Sequence, residues 1–260
     1  MSKSASFDLS GRTVFITGAS SGIGARFARV AAASGAKVVL GARRTALTEA
    51  LAAEIRAAGG QALAVPLDVA DEASTIAAYD AAEAAFGGVD SVIVNAGMMI
   101  NANAVDLPVE DFDRVFEVNV RGAFLTAREG ARRMIKAGSA ERQHGRIILI
   151  SSIMASVNGP GVVAYSASKA AVSKMGQCFA REWVRKGINV NTICPGYINT
   201  ELTAEYFETD TGKKHINQWP RRRMLDLSDL DEMALYLASD ASRAVTGASF
   251  TIDDGQSMFG

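Results

Sequence analysis

Short runs of apolar and β-branched residues alternate along the chain with longer Ala-rich segments. The apolar runs predict β-strands, because branched side chains favour extended backbone and turn residues bound each run. The predicted strands are Arg12–Thr17, Lys37–Leu40, Ala62–Val65, Asp90–Val94, Arg146–Ile150, Gly187–Ile193 and Ser249–Ile252. The Ala-rich segments predict helices at Ile23–Ser34, Leu47–Ala58, Glu72–Phe86, Val109–Ala137 and Ala164–Lys186.

The order of these elements predicts an α/β fold. Strands that are apolar along most of their length are typical of parallel strands covered on both faces. Their alternation with helices predicts a doubly wound parallel sheet of the Rossmann type, with right-handed crossovers. No repeat or low-complexity linker interrupts the pattern, so we expect the 260 residues to form a single domain, 1–260.

The least regular stretch of the chain is 201–227. It carries mixed charge, a Trp219-Pro220 pair and three consecutive arginines, Arg221 to Arg223. A long segment without periodicity inside a compact domain is often a lid or a binding loop. We therefore expect a lid here, with the arginines either solvated or structural.

Composition excludes several classes of protein. A net charge of −1 argues against nucleic acid as a partner, since polyanion binders carry a basic excess. Residues 1–12 lack the apolar core of a signal peptide, and no apolar run is long enough to span a membrane. We expect a cytoplasmic protein with Cys178 and Cys194 reduced. The two histidines, His144 and His215, have no ligand-like neighbours in sequence, so no metal site is expected.

A glycine-rich turn joins the first strand to the first helix. It reads T-G-x-x-x-G-I-G over Thr17–Gly24. Glycines permit close approach of backbone to phosphate, and the helix start offers unpaired N–H groups. The turn predicts a dinucleotide site in which residues 1–110 form mainly the cofactor half and 111–260 the catalytic half. The predicted contacts in the turn are Gly18, Ser20, Ser21, Gly22, Ile23 and Gly24.

The end of the second strand distinguishes NADP from NAD. An acid there would bind the adenosine ribose, whereas a basic residue would accept the 2′-phosphate. The sequence has Arg43 and Arg44 and no acid. Arginine makes bidentate, charge-assisted bonds to phosphate, so we predict NADP(H), with Arg43 as the main contact and Arg44 assisting.

Four polar residues in the second half form a candidate catalytic group. Ser152 directly follows a strand, and Asn119 lies in the long helical segment before that strand. Tyr165 and Lys169 are four residues apart, which puts their side chains on one face of a helix.

With these motifs the chain resembles the short-chain dehydrogenases/reductases over nearly its whole length. The resemblance includes T-G-x-x-x-G-I-G, Asn119, Ser152 and Y-x-x-x-K at Tyr165–Lys169. It also includes Asp68-Val69, Asn95-Ala96-Gly97, Pro195-Gly196 and Thr200. Val94 departs from the pattern, because the family often has a second asparagine at that position.

The resemblance implies a hydride transfer between nicotinamide and a carbonyl or alcohol carbon. It makes Tyr165 the general acid/base, Lys169 the residue that lowers the pKa of that tyrosine and holds the nicotinamide ribose, and Ser152 the partner of the substrate oxygen. Asn119 would position a water that links Lys169 to solvent. The remaining cofactor contacts implied are Asp68, Val69, Asn95, Ala96, Gly97, Tyr165, Lys169, Pro195, Gly196, Ile198 and Thr200.

Electrostatics supports the pairing of Tyr165 with Lys169. A free tyrosine has a pKa of about 10, which is too high for a base at neutral pH. A cation ~4 Å away, at an effective dielectric constant of ~20, contributes about 4 kcal/mol, or roughly three pKa units. We therefore expect a lowered pKa for Tyr165.

Apolar residues follow the strands that lead to the substrate end. They include Met99, Met154 and Tyr197, which with Ser152 and Tyr165 are the predicted substrate contacts. Methionine adapts to irregular shapes, so we predict a fairly bulky apolar ketone or alcohol, such as a steroid-like or aromatic compound.

Two other functions stay open. One is a 3-oxoacyl-(acyl-carrier-protein) reductase, which would dock its acidic carrier on basic residues such as Arg132, Arg133 and Arg181. The other is a nucleotide-binding regulator without catalysis, because a fold does not guarantee an activity. The resemblance also implies a homo-oligomer, a tetramer or a dimer, paired through the segments Val109–Ala137 and Ala164–Lys186. The C-terminal residues could also reach a neighbouring subunit.

Overall fold

Seven parallel strands form one sheet in the computed structural model, which describes residues 7–200 and 204–258. The strand order is β3-β2-β1-β4-β5-β6-β7, with every neighbouring pair parallel. This arrangement confirms the predicted doubly wound fold and its single domain. The strands are β1 Thr13–Thr17, β2 Lys37–Ala42, β3 Gln61–Pro66, β4 Ser91–Val94, β5 Gly145–Ile150, β6 Ile188–Pro195 and β7 Ser249–Ile252.

Helices cover both faces of the sheet. Those in the described residues are α1 Gly22–Ala33, α2 Thr45–Ala57, α3 Glu72–Phe86, α4 Val109–Phe116, α5 Gly122–Lys136, α6 Ser139–Arg142, α7 Val163–Trp183, α8 Ala204–Glu208, α9 Asp210–Gln218 and α10 Asp231–Ala238. Short 3-10 turns occur at Ile153–Ala155, Val184–Lys186, Leu227–Leu230, Asp240–Ser242 and Gln256–Met258. None of these helices combines the length and apolarity that a bilayer crossing demands.

Two hydrophobic cores lie on opposite sides of the sheet. Successive side chains of a strand point to opposite faces, so Val14 and Ile16 join one core and Phe15 joins the other. The first core packs under α1, α2 and α10, and the second packs under α3, α5 and α7. Both faces of β1 are therefore buried, which explains its continuous apolar sequence.

The long helix predicted at Val109–Ala137 is divided by a π-helical turn. The turn, Glu117–Arg121, separates α4 from α5 and contains Asn119. Single π turns inside helices are rare and occur frequently at functional sites. Nothing in the 3.6-residue periodicity reveals this turn, because the helix continues on both sides of it.

The segment 201–227 is more regular than its sequence suggested. Its described part contains α8 and α9 and then pairs with the segment after β6, where the N–H of Leu225 donates to the carbonyl of Tyr197 at 3.0 Å. Helices of five and nine residues are too short to give a clear pattern. Residues 201–203 lie outside the described part. Arg221 and Arg223 are structural, since both form ion pairs with Asp254.

We predict that Phe15→Ala destabilises the protein by about 3–5 kcal/mol, because it leaves a cavity in the second core. Phe15 is fully buried and stacks on Tyr79, with ring centroids 4.5 Å apart. The free energy of unfolding from urea denaturation tests this. Val105→Ala is the control, because Val105 is 93% exposed and should change stability by less than about 0.5 kcal/mol. Equal effects of the two substitutions would contradict the assignment of the core.

Candidate active site

A cleft of about 430 Å³ opens where the strand order reverses, between β1 and β4. In open α/β sheets, ligands bind beyond the carboxyl ends of the strands at this point. The cleft brings together both ends of the predicted site, with Arg43 and Arg44 at one end and Tyr165 and Lys169 at the other. It is lined by Gly18, Ser20, Ser21, Gly22, Ile23, Ala42, Arg43, Arg44, Leu67, Asp68, Val69, Asn95, Ala96, Gly97, Met98, Val118, Ile150, Ser151, Tyr165, Lys169 and Thr200.

The glycines of the turn after β1 are required by their surroundings. Gly18 has a φ of +68°, and a Cβ atom there would lie 2.9 Å from the Cα of Ala96. A Cβ atom at Gly24 would lie 2.4 Å from the carbonyl oxygen of Gly18. The turn is therefore tightly folded, and it leaves its outer backbone along the cleft and at the start of α1. This geometry fits a pyrophosphate group, which the helix N-terminus would favour.

Asn95 connects this turn to the loop after β4. Its side-chain amide donates to the carbonyl of Thr17 at 3.0 Å, and its backbone N–H donates to the Thr17 hydroxyl at 3.0 Å. The N–H of Ala96 donates to the same hydroxyl at 3.1 Å. Asn95 therefore stabilises the shape of the cleft, in addition to lining it.

The two arginines lie at the end of β2, as the sequence predicted. Both are exposed. The guanidinium of Arg44 donates to the hydroxyls of Ser20 and Ser21, at 3.2 and 2.5 Å. Arg44 is thus held against the glycine turn, whereas Arg43 lies beside it on the border of the cleft. The pair puts two positive charges next to one wall of the cleft.

Tyr165 and Lys169 meet one turn apart on α7. The ammonium group of Lys169 lies 5.6 Å from the centroid of the Tyr165 ring and donates to the carbonyl of Ile150 at 2.9 Å. Lys169 is only 5% exposed, whereas Tyr165 is half-buried. Asp68 and Val69 follow β3 and border the opposite part of the cleft.

Two neighbouring serines follow β5, and their hydrogen bonds distinguish them. The Ser151 hydroxyl donates to the carbonyl of Lys169 and accepts from Ser173, both at 2.8 Å, so it supports α7. The Ser152 hydroxyl accepts the N–H of Met154 at 3.1 Å and is hydrogen-bonded to the side chain of Tyr165. Ser152 is therefore the serine that faces the tyrosine.

Asn119 is fully buried and its side chain is occupied by protein partners. Its amide oxygen accepts the N–H of Met98 at 2.8 Å, and its amide nitrogen donates to the Met98 carbonyl and to Ser168, at 2.9 and 3.0 Å. The side chain fixes the loop after β4 beside Lys169. The positioning of a water by Asn119 stays a prediction.

Burial changes the pKa values of the catalytic pair. Burial raises the pKa of Tyr165 to about 12, although the hydrogen bond from Ser152 opposes this shift. Burial lowers the pKa of Lys169 to about 8. The lowered pKa that the sequence predicted for Tyr165 is therefore not found. That prediction placed the cation ~4 Å away, but the ammonium group is turned towards Ile150 and the loss of solvation outweighs its effect.

Three other predicted cofactor contacts lie at the end of β6 but do not border the cleft. These are Pro195, Gly196 and Ile198, of which Ile198 is buried and pairs with Leu225. Thr200, two residues further, does border it. Conversely, four residues that line the cleft were not predicted from the sequence, namely Ala42, Leu67, Val118 and Ile150. Their only signal was their position at or near strand ends or beside Asn119.

Aromatic side chains dominate the predicted substrate end. Tyr197 stacks on Trp219, with centroids 5.1 Å apart, and meets Phe207 and His215 edge-on at 5.2 and 5.4 Å. The Tyr197 hydroxyl donates to the Met154 sulfur at 3.5 Å. Met99 lies half-buried in the loop after β4. The described part of segment 201–227 therefore packs its aromatic residues on Tyr197.

Other expectations can be compared with the described residues. No group of three His, Cys, Asp or Glu side chains within 7–200 and 204–258 could hold a metal ion. Cys178 and Cys194 are both free thiols. Arg133 is 14% exposed and ion-paired with Glu129, Asp80 and Glu83, so it offers little charge to an acidic carrier.

Comparison with known proteins identifies the family. The family model described as short chain dehydrogenase matches residues 12–211. The chain is 38% identical over 250 residues to a 2,5-dichloro-2,5-cyclohexadiene-1,4-diol dehydrogenase of Sphingobium indicum, covering 96% of this chain and 98% of the relative. It is 35% identical to the 3beta-hydroxysteroid dehydrogenase 1 of Eggerthella lenta, covering 97% and 96%.

Solved structures agree with this result. A gluconate 5-dehydrogenase from Burkholderia cenocepacia, in complex with NADP and tartrate, superposes with a TM-score of 0.91 at 33% identity, over 97% of both chains. The fold and the cleft define a nicotinamide-dependent oxidoreductase that acts on alcohol or carbonyl groups. The chain belongs to the short-chain dehydrogenase/reductase family.

The pKa of Lys169 predicts a pH dependence of stability. The folded pKa of about 8 lies below the usual value of 10.5, so between these pH values the unfolded chain binds a proton that the folded chain has lost. Stability should therefore rise with pH across this window, by up to about 3 kcal/mol relative to Lys169→Met. Urea denaturation of both proteins at about pH 8 and pH 10 measures the difference. Parallel pH profiles would contradict this assignment of the shift.

Proposed function

We propose that this protein is an NADP(H)-dependent oxidoreductase that interconverts a fairly bulky apolar ketone and its secondary alcohol. The observation that carries the proposal is the continuous cleft from Arg43 and Arg44 to Tyr165 and Lys169. At one end, Arg43 and Arg44 carry the positive charge that a phosphate needs. At the other end, Tyr165 is an acid and Lys169 a cation suited to carbonyl chemistry. A nucleotide-binding regulator without catalysis would need no proton donor such as Tyr165 in the cleft.

The cofactor would lie along the glycine turn. The backbone of Gly18 to Gly24 and the start of α1 would hold the pyrophosphate, and Arg43 with Arg44 would hold the 2′-phosphate. Asp68 and Val69 would contact the adenine, and Thr200 would contact the nicotinamide; all three residues line the cleft. When bound, the cofactor supplies or accepts the hydride.

Tyr165 would donate its hydroxyl proton to the carbonyl oxygen in reduction and remove a proton from the alcohol in oxidation. Its raised pKa supports the donor role, because the hydroxyl keeps its proton at neutral pH. Ser152 would donate to the same substrate oxygen and orient it. Lys169, buried beside Tyr165, would stabilise the negative charge that develops on the tyrosine oxygen when it gives up its proton in reduction, and that this oxygen carries when it acts as the base in oxidation. Lys169 would also hold the nicotinamide ribose.

We predict that Tyr165→Phe lowers kcat/KM by roughly a hundredfold or more, because the proton donor is lost. NADPH affinity, measured by fluorescence titration, should change little, since only one hydroxyl is removed. Tyr236→Phe is a matched control, because Tyr236 is a half-buried tyrosine on α10, outside the residues that border the cleft. Full turnover of the Tyr165 variant would refute the assignment.

We predict that Arg43→Asp shifts the preference from NADPH towards NADH. The change removes a charge-assisted bond to the 2′-phosphate and adds a repulsion, together about 2 kcal/mol or roughly thirtyfold in the ratio of kcat/KM values. Arg185→Asp, at an exposed position in the 3-10 turn after α7, controls for the change in net charge. An unchanged ratio in the Arg43 variant would exclude Arg43 as the 2′-phosphate contact.

The aromatic and methionine side chains around Tyr197 support a bulky apolar substrate. A panel of a steroid ketone, an aryl ketone, an acetoacetyl thioester and a small sugar, assayed by NADPH consumption, tests this. Fast turnover of the first two supports the proposal. Fast turnover of the thioester alone would favour the acyl-carrier reductase, and binding of NADPH without any turnover would favour the regulator.

The proposal includes a cytoplasmic homo-oligomer, either a dimer or a tetramer. Partly exposed apolar side chains on α5, Phe124 and Ile135, and on α7, Val163, support a partner at these helices. Two free thiols support a reducing compartment. Sedimentation equilibrium measures the assembly, and a monomer at micromolar concentration would exclude it.

A further inference from the structure

A single buried amide holds Tyr197 in place from the C-terminal end of the chain. Gln256, which is 5% exposed, accepts the backbone N–H of Tyr197 at 2.7 Å through its side-chain oxygen. Its side-chain nitrogen donates to the carbonyl of Arg223 at 3.3 Å. One side chain therefore connects the segment after β6 with the segment after α9.

The turn that carries Gln256 packs directly on the backbone before Tyr197. A Cβ atom at Gly196 would lie 2.4 Å from the side-chain oxygen of Gln256 and 2.9 Å from the Cα of Asp253. Asp253 in turn accepts the backbone N–H groups of Gly255 and Ser257, at 3.0 and 2.8 Å. These hydrogen bonds hold the backbone of the turn on both sides of Gln256.

The neighbouring Asp254 holds the other side of the aromatic stack. Its carboxylate accepts from Arg221 at 3.0 Å and from Arg223 at 2.8 Å, and its side chain is only 12% exposed. These arginines lie two and four residues after Trp219, which stacks on Tyr197 with an interplanar angle of 16°. Both partners of the Tyr197–Trp219 stack are thus connected to the same C-terminal turn.

We propose that Gln256 is a positioning residue that sets the affinity for the carbonyl substrate through Tyr197. This rests on the proposed function, in which Tyr197 contacts the substrate. Without the acceptor, the backbone N–H of Tyr197 loses its hydrogen-bond partner beside the buried Gln256 side chain, so the backbone must move to find another partner. The Tyr197 ring then shifts away from Trp219 and the apolar wall of the substrate site is lost.

The test uses Gln256→Met, which keeps the volume of the side chain but removes its hydrogen bonds to the backbone of Tyr197 and Arg223. KM for the preferred ketone should rise about tenfold, while kcat and NADPH affinity change little, because the proton donor and the cofactor end are untouched. Gln256→Glu, which keeps an acceptor for the Tyr197 N–H, should restore part of the affinity. Gln177→Met, at an exposed glutamine on α7, is the matched control and should leave all values unchanged.

A second readout needs no activity. The chain has two tryptophans, so a Trp183→Phe background leaves Trp219 as the only one. Trp219 is 4% exposed, and in this background Gln256→Met should shift its emission to longer wavelength and increase its quenching by acrylamide. Asp254→Asn, a milder change at the same turn, should shift both signals in the same direction.

Unchanged Trp219 emission and quenching in Gln256→Met, or an unchanged KM, would overturn the proposal. If this variant does not fold, Asp254→Asn decides instead, and wild-type Trp219 emission and quenching in Asp254→Asn would overturn the proposal. A wild-type enzyme without turnover of any carbonyl would refute the proposed function instead. In that case the Trp219 signals would still report whether Gln256 holds the stack.

Discussion

The contact between the ends of β1 and β4 is the constraint on which the site depends. The strand order reverses between these strands, so the crossovers leave in opposite directions and a crevice opens between them. Thr17 and Asn95 connect the two strand ends by hydrogen bonds of 3.0 Å, and Gly18 lets the backbones approach within contact distance. A wider separation here would move the phosphate end of the cleft away from α7.

The same crevice determines the chemistry through burial. Burial removes solvation from both side chains, so the pKa of Lys169 falls while the pKa of Tyr165 rises. A buried tyrosine that keeps its proton suits the donation of that proton to a carbonyl oxygen. The reverse direction needs stabilisation of the tyrosinate, which the nearby lysine can provide once a charge develops. The protein environment thus favours the protonated form of Tyr165.

The substrate end is assembled from parts of the chain that are far apart in sequence. Met154 follows β5, Tyr197 follows β6, and Trp219 follows α9, while Gln256 reaches Tyr197 from 59 residues further along the chain. Family membership therefore says little about this end. Relatives with similar overall identity are named for alcohols as different as a steroid and D-threitol.

The sequence alone determined the sheet, the order of its elements, the glycine turn and the positions of Arg43, Tyr165 and Lys169. These features depend on local patterns, namely apolar periodicity, turn residues and short spacings. Such patterns can be identified in a sequence without knowledge of contacts between distant residues. Tertiary structure decided the π turn at Asn119, the position of Ser152 beside Tyr165, and the raised pKa of that tyrosine. It also decided the contact of Gln256 with Tyr197. Each of these depends on desolvation or on a hydrogen bond between distant residues, and neither leaves a periodic signal in the chain.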